Sequence, residues 1–342
     1  MPEFVGFGQS RLKDTSDGEH MPASEDGCAQ TAVIIPTNNG AGTLERAVNS
    51  VLNQSFCLQV IIVDDGSDEE TRQVISRCVS GDSKVSSVRL EQASGRPALP
   101  RNRGVESVVG ARYLIFLDDD DEMLPGSIGE LQSRMGSGAA AVVGDVIIDE
   151  ERTRRLASDV YGWNVGDTAI FHHNLRPLNG ACIDRRWFER IGGFDTTLPA
   201  LEDWQLILRM IVNGGHVEYI STPVAVYYPR PLDKSYWRSP ETQLLAPTSR
   251  VRIFEMLAQE CPERCSEIEA WTHIARKDLG ASRLQAIAKR CISKDKIAGN
   301  VLLGIRELGV DRRIISEMAR AALGADRSSR LKRYAYACVH RA

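Results

Sequence analysis

The sequence has no long apolar run. Within its 342 residues no stretch approaches the roughly 18 to 20 consecutive apolar residues that a membrane-spanning helix requires. Residues 1–30 are rich in Gly, Ser, Asp and Glu, and they carry charges where a signal peptide has its apolar segment. We therefore expect a disordered leader over residues 1–30 and a cytoplasmic protein.

The eight cysteines lack the repeated short spacing of a disulfide framework or a zinc site. Only Cys261 and Cys265 are close enough to share a helix face, and a structural zinc ion would need two further ligands at comparable spacing. The cysteines are therefore expected to be reduced thiols.

Common nucleotide-binding and hydrolase motifs are also missing. The sequence contains no GxxxxGK[ST] phosphate loop, no GxGxxG after its first apolar run, no GxSxG and no HExxH. The loop that follows the first apolar run, residues 37–40, has no basic residue. These absences argue against kinase-like, ATPase and nicotinamide-dependent enzymes, and any nucleotide would have to be held by acidic loops and a metal.

What is present is a regular alternation of short β-branched runs and longer amphipathic stretches. Such an alternation predicts parallel strands joined by crossover helices, in an open, mostly parallel α/β sheet with helices on both faces. The predicted strands are 31–36, 58–63, 85–90, 112–117 and 140–148, and the predicted helices are 43–54, 69–80, 98–109 and 126–135.

Beyond residue 148 the alternation becomes irregular, with predicted helices at 184–191 and 202–213 and a short strand at 222–228. From about residue 245 only helical patterns recur. The sequence therefore predicts one α/β domain over residues 31–239 and a helical C-terminal region over residues 240–342.

The two parts differ in charge. Residues 1–239 carry 23 Lys and Arg against 34 Asp and Glu, whereas residues 240–342 carry 19 against 12. A basic C-terminal region is compatible with peripheral contact to a membrane, but also with a solvated helical surface or with docking against the acidic part. Nucleic acid is not expected as a partner.

Two acidic segments follow predicted strands, at the sheet edge where open α/β folds bind ligands. The first is Asp64-Asp65, which can accept hydrogen bonds from a ribose or a base, or else caps the next helix. The second is the run 118–121, four adjacent carboxylates whose mutual repulsion a divalent cation would relieve. An exposed acidic loop is the alternative for the second segment.

Five segments together resemble the family 2 glycosyltransferases of the bacterial type, which have the GT-A fold. They span roughly residues 31–230: VIIPTNNGAGTLERAVNSVLNQSF, VIIVDDGSDEET, PRNRG, YLIFLDDDDEMLP and IGGFDTTLPALEDWQLILR. The resemblance implies a nucleotide-diphospho-sugar donor, with a UDP-sugar as the best guess. It also implies Mg²⁺ or Mn²⁺ at an Asp-x-Asp motif, and inversion at the anomeric carbon.

The resemblance also assigns roles by motif. It implies that Asp203 is the general base. Without the resemblance, Glu202 and Asp203 would be interpreted only as favourable charges at the start of a helix. The segment 227–230 departs from the family's usual pattern of Tyr-Arg followed by a His. The implied nucleotide contacts are Pro36, Thr37, Asp64, Asp65, Arg101 and Asp119; the metal contacts are Asp118, Asp120 and Asp121; candidate contacts to the diphosphate or the acceptor are Glu202, Arg230 and Gly193.

Two other functions share the acidic loops, namely nucleotidyl transfer and non-catalytic binding of a nucleotide sugar. A nucleotidyltransferase usually holds its triphosphate with a Gly-rich, basic first loop, which this chain lacks. A binding module has no reason to keep Asp203. The acceptor, whether a glycan, a lipid-linked sugar or a small molecule, cannot be read from the sequence, nor can the oligomeric state.

Overall fold

The computed structural model describes residues 30–136, 138–150, 153–161, 178–229, 245–264, 268–276 and 278–279. The predicted leader, apart from Gln30, and the candidate contact Arg230 lie outside these ranges, as does most of the predicted helical region beyond residue 279.

The strands and helices follow the predicted alternation closely up to residue 150. In chain order the elements are β1 (Thr31–Thr37), α1 (Leu44–Leu52), β2 (Cys57–Asp65), α2 (Glu69–Gly81), β3 (Val85–Leu90), α3 (Ala98–Glu106), β4 (Tyr113–Phe116), β5 (Glu122–Met123), α4 (Ser127–Met135), β6 (Ala141–Glu150), β7 (Thr153–Leu156), α5 (Ala157–Tyr161), β8 (Ala181–Asp184), α6 (Arg185–Arg190), α7 (Glu202–Val212), β9 (Val217–Tyr227) and α8 (Leu245–Glu260).

The strands of the described ranges form one nine-stranded sheet in the order β3-β2-β1-β4-β8-β6-β9-β5, with β7 paired to β6. The β3-β2-β1-β4 half is parallel, as is the pair β6 and β9. Strand β8 lies antiparallel between β4 and β6. The predicted α/β fold class is confirmed, and the short strands β5, β7 and β8 are additions that the sequence analysis did not identify.

Helices cover both faces of the sheet. Because successive side chains of a strand point to opposite faces, neighbouring residues of one strand pack with different helices. Val33 and Ile35 of β1 pack with helices α1, α2 and α4 on one face. Ile34 packs with α3, α6, α7 and α8 on the other face. This double coverage explains why β1 is almost continuously apolar.

Helix α8 belongs to the predicted C-terminal region, yet it packs into the same core as the α/β part. Phe254 is fully buried and meets Trp204 of α7 edge to face, with ring centroids 5.6 Å apart. Trp271 also stacks on Phe254, with ring centroids 6.5 Å apart. The division at residue 239 stays a prediction, but the described residues that follow it share a core with those before it.

No helix of the described ranges is both long and apolar enough to cross a membrane.

Candidate functional site

The loops after β1, β2 and β4 meet at one edge of the sheet, as the parallel strand order requires. Thr37, the last residue of β1, is level with Asp64 of β2 in the parallel ladder. On the other side of β1, the Leu117 amide just after β4 donates to the Ile34 carbonyl. The two acidic segments therefore flank the polar loop that follows β1.

The first contact across this edge joins Thr37 to Asp119. The Thr37 hydroxyl donates to Asp119 Oδ2 at 2.5 Å, and both side chains are buried. Gly40 lies against this pair so closely that an added Cβ would stand 2.0 Å from Asp119 Oδ2 and 2.5 Å from Thr37 Oγ1. The absence of a side chain at residue 40 is therefore a condition for the contact.

With the nucleotide contact that the resemblance implies for Asp119, Gly40→Ala is expected to displace Asp119 and to weaken nucleotide binding about tenfold or more, because losing one buried hydrogen bond costs roughly 1 to 3 kcal/mol. Titration with free nucleoside diphosphate measures the effect. Gly42→Ala is the matched control, since an added Cβ there meets nothing within 4 Å. Equal affinities for the two variants would show that the Thr37–Asp119 contact is not part of the nucleotide site.

Asp64 and Asp65 are buried and anchored by different loops. The Ser67 amide donates to Asp64 Oδ1 at 2.7 Å, and Arg89 lies 3.7 Å from Asp64 Oδ2. Asp65 accepts from both the amide and the hydroxyl of Ser94, each at 2.7 Å. Sequence reasoning missed Ser94, and the only signal available was the turn-forming Ser-Gly pair that it starts.

The run 118–121 divides into enclosed and accessible carboxylates. Asp119 and Asp121 are buried, whereas Asp118 and Asp120 are partly exposed. Asp121 accepts from the Asn179 side-chain amide at 2.6 Å and from the Tyr228 backbone amide at 2.9 Å. Both of its oxygens thus have protein donors that organise the turn, and the metal contact that the resemblance implies for Asp121 stays a prediction.

Burial raises the pKa of Asp121 well above its ordinary value, and the nearby charges of Asp118 and Asp120 raise it further. The crowding expected from the sequence is therefore present in the fold, and a cation would reduce it. Sequence reasoning did not identify Asn179, which comes from an irregular segment with no pattern to mark it.

The donor set fits a cation that is shared with a ligand. Among the described residues, no three His, Cys, Asp or Glu side chains are grouped closely enough to form a metal site by themselves. Asp118, whose side chain is 44% exposed, and Asp120 offer one or two carboxylates. Mg²⁺ is commonly held in this way, with its other positions taken by water and substrate phosphate.

A buried arginine connects the acidic run to the start of α7. Arg101 of α3 donates from one terminal nitrogen to Asp118 Oδ1 and from the other to Glu202 Oε1, both at 2.8 Å. The side chains of Arg101 and Glu202 are only 7% and 9% exposed. Glu202, a candidate ligand contact in the sequence analysis, is thus held inside the protein, and its carboxylate is paired with Arg101.

The pKa of Glu202 is raised by burial first and by the charge of Asp203 second, while Arg101 opposes the rise. Asp203 itself is partly exposed in the first turn of α7, and its Oδ1 accepts from the Trp204 amide at 2.8 Å. The residue before the helix, Leu201, has a left-handed backbone with φ of 63°. The chain therefore turns sharply to present Asp203 at a helix N-terminus, where a negative charge is favoured.

The glycine turn 192–194 is clamped by Asn102, the residue after Arg101. The Asn102 side chain donates to the Phe194 carbonyl at 2.9 Å and accepts from the Phe194 amide at 3.0 Å. Gly193 has a φ of 69°, and an added Cβ would stand 2.9 Å from Asn102 Oδ1. The turn therefore requires glycine for its own geometry, and a ligand contact by Gly193 stays a prediction.

A second cluster that sequence reasoning missed borders the acidic run. Arg46 of α1 donates to the Asp120 carbonyl at 2.6 Å and pairs with Glu122 at 2.9 Å. Its guanidinium lies 4.3 Å from the centre of the Tyr228 ring, and the Tyr228 hydroxyl donates to Glu122. The cluster holds the backbone of the run, and no motif in α1 indicates it.

Comparison with known proteins relates this chain to one enzyme family and one fold. Residues 32–191 match the sequence profile described as Glycosyl transferase family 2. A β-1,3-glucosyltransferase of Campylobacter jejuni, named for GalNAc(5)-diNAcBac-PP-undecaprenol, is 33% identical over 121 residues, which are 35% of this chain and 39% of that protein. The succinoglycan biosynthesis protein ExoU of Rhizobium meliloti is 27% identical over 206 residues, 55% of this chain and 58% of that one. The chain thus spans less than two thirds of either relative.

Two solved structures share the fold. Staphylococcus aureus TarS residues 1–349 in complex with UDP superposes with a TM-score of 0.62 at 14% identity, covering 85% of each chain. The mannosyltransferase PcManGT of Pyrobaculum calidifontis, in complex with GDP-Man and Mn²⁺, gives 0.54 at 17% identity over 86% of each chain. With the profile match, residues 32–191 belong to glycosyl transferase family 2, and the fold is that of the GT-A transferases.

Proposed function

We propose that this protein is a metal-dependent, inverting glycosyltransferase that moves a sugar from a nucleotide-diphospho-sugar to an acceptor hydroxyl. The observation that carries the proposal is the Arg101 bridge, which joins the accessible carboxylate Asp118 to the helix start that presents Asp203. The proposed donor site and a carboxylate able to accept a proton would therefore lie on one connected framework, as an inverting displacement needs.

In the proposed reaction each group of the chain has one task. The nucleoside binds against Thr37, Asp64, Asp65 and Asp119, which places the diphosphate toward the accessible carboxylates of the acidic run. A bound Mg²⁺ or Mn²⁺ supplies positive charge to the departing diphosphate. Asp203 accepts the acceptor's proton while the acceptor oxygen bonds to the anomeric carbon, and the bond from that carbon to the diphosphate oxygen breaks. The products are the glycosylated acceptor and a nucleoside diphosphate.

The choice of donor rests on the structural neighbours. TarS has been crystallised with UDP and with UDP-GlcNAc, and PcManGT with GDP-Man and Mn²⁺. We infer a UDP-sugar donor for this protein. The name of the Campylobacter jejuni relative includes an undecaprenol-linked substrate, which makes a lipid-linked or glycan acceptor the first class to test.

Asp120→Ala is expected to remove the stabilisation that a UDP-sugar gives in the presence of Mn²⁺, because the variant loses one of the two accessible carboxylates. At a hundred times its dissociation constant a ligand stabilises by roughly 2.7 kcal/mol, so a thermal-shift panel of nucleotide sugars detects the loss. Glu106→Ala is the control, since that carboxylate is exposed and pairs with the exposed Arg103 of the same helix, α3.

An undiminished Mn²⁺-dependent shift in Asp120→Ala would contradict the metal assignment. The reaction class is tested separately by product analysis with metal and a candidate acceptor. Nucleoside diphosphate together with glycosylated acceptor supports sugar transfer. Pyrophosphate would indicate nucleotidyl transfer, and donor binding without any product would indicate a binding module.

A further inference from the structure

Helix α8 follows the segment that matches the family profile, yet it contacts the loop that leads into α7. This loop, residues 195–201, ends directly before Glu202 and Asp203. We propose that Arg252 of α8 is a positioning residue of the enzyme, which holds this loop so that Asp203 is presented in one place. The inference rests on the proposed role of Asp203 as the base.

The contact is made through two hydrogen bonds to a single residue. Arg252 donates to the Thr197 carbonyl at 3.2 Å and to the Thr197 hydroxyl at 2.7 Å. The Thr197 hydroxyl in turn donates to Asp195 Oδ1 at 2.6 Å, and the Thr197 backbone amide donates to the same oxygen at 2.8 Å. A two-point guanidinium contact fixes direction as well as distance, so Arg252 sets the orientation of the turn at 195–197.

The loop needs such support because its end is strained. Leu201 has a φ of 63°, and a left-handed conformation costs a residue with a side chain roughly 1 to 2 kcal/mol. Such a conformation persists only where the surroundings over-determine it. Arg96, from the loop between β3 and α3, supports the middle of this loop by donating to the Leu198 carbonyl at 3.2 Å, so arginines from two separate parts of the chain hold it.

Helix α8 is a rigid base for this contact because it is fastened to α7 itself. Phe254 packs against Trp204, the residue after Asp203, and Glu260 pairs with Arg209 of α7 at 3.0 Å. Arg252 therefore holds the loop in the same frame as the helix that carries Asp203. Helix α8 contributes in this way to the geometry of the site through the loop that precedes α7.

Removing the Arg252 side chain is expected to lower turnover and to leave donor binding unchanged. Without Arg252, the loop and the first turn of α7 sample more conformations, and small displacements of a catalytic group reduce rates strongly. We expect turnover to fall about tenfold in Arg252→Met, since a displacement of 1 Å costs up to about a hundredfold. The proposed donor contacts lie on the loops after β1, β2 and β4, so donor affinity should stay the same.

The test compares Arg252→Met with Arg252→Lys and with the control Arg276→Met. Arg276 is also exposed, and it forms an ion pair with Glu255 of α8 at 2.7 Å. Arg252 is itself exposed, so its replacement leaves no buried cavity. Each variant is measured by amide hydrogen exchange over residues 195–203, by donor affinity with Mn²⁺, and by single-turnover transfer at saturating donor.

Arg252→Met should speed amide exchange at Thr197 and Leu198 and should slow transfer, with donor affinity unchanged. Arg252→Lys should recover part of both effects, because an ammonium can still donate to the Thr197 carbonyl, and Arg276→Met should match the parent. Unchanged exchange, unchanged turnover, or an equal loss in the control would overturn the positioning role. Failure of the proposed function is distinguishable, since the parent protein itself would then form no glycosylated product.

Discussion

Replacing Asp203 with Asn is expected to lower turnover by about a hundredfold to ten-thousandfold, the usual cost of removing a general base. The amide is isosteric, and its oxygen can keep the hydrogen bond from the Trp204 amide. Donor and metal binding should therefore stay close to parental values, because proton transfer occurs only during the reaction. Single-turnover transfer at saturating donor and metal measures the effect.

In the competing explanation, Asp203 only stabilises the start of α7 by its negative charge. Losing such a charge costs roughly 0.3 to 1 kcal/mol of stability and leaves the rate alone. Glu45→Gln is the matched control, because Glu45 is an exposed carboxylate in the first turn of α1. If Asp203→Asn is only slightly less heat-stable, like the control, and transfers sugar at the parental rate, Asp203 is not the base.

The sequence predicted the fold best where strands are long, apolar and regularly spaced. The strands β1, β2 and β3 lie within two residues of their predicted ends, and β1 and β2 are β-branched runs bounded by polar loops. Strand β8 was not predicted, since it has four residues and follows an irregular segment. Its antiparallel position between β4 and β6 depends on pairing across the chain, which no local pattern specifies.

Prediction of the candidate site was limited in the same way, because contacts between residues far apart in the chain leave no local pattern. The acidic run could be found because four carboxylates at a strand end are unusual, and the loop convergence follows from parallel strand order. The partner of Glu202 could not be found, because Arg101 is 101 residues away and both groups are normally exposed. Which carboxylates are enclosed likewise depends on Asn179 and Tyr228, two residues that tertiary packing brings to Asp121.

Arg101→Met is expected to lower the free energy of unfolding by about 3 to 5 kcal/mol, because it leaves the buried carboxylate of Glu202 without its counter-charge. The methionine fills part of the space of the arginine but offers no donor. The double variant Arg101→Met with Glu202→Gln should recover much of this loss, since it buries an amide in place of an unpaired charge. Denaturant unfolding of the parent, both single variants and the double variant measures the coupling.

The pH dependence of the single variant gives an independent check. Burial already raises the pKa of Glu202 and Arg101 opposes the rise, so the folded-state pKa should be higher still in Arg101→Met. A raised carboxyl pKa means that the folded protein holds a proton that the unfolded chain releases above its ordinary pKa of about 4.3. The variant should therefore lose stability as the pH rises through the interval between these two values. The double variant cannot titrate at residue 202. A loss of unfolding free energy in Arg101→Met that does not change with pH, or an equal pH dependence in both variants, would show that the buried charge is not on Glu202.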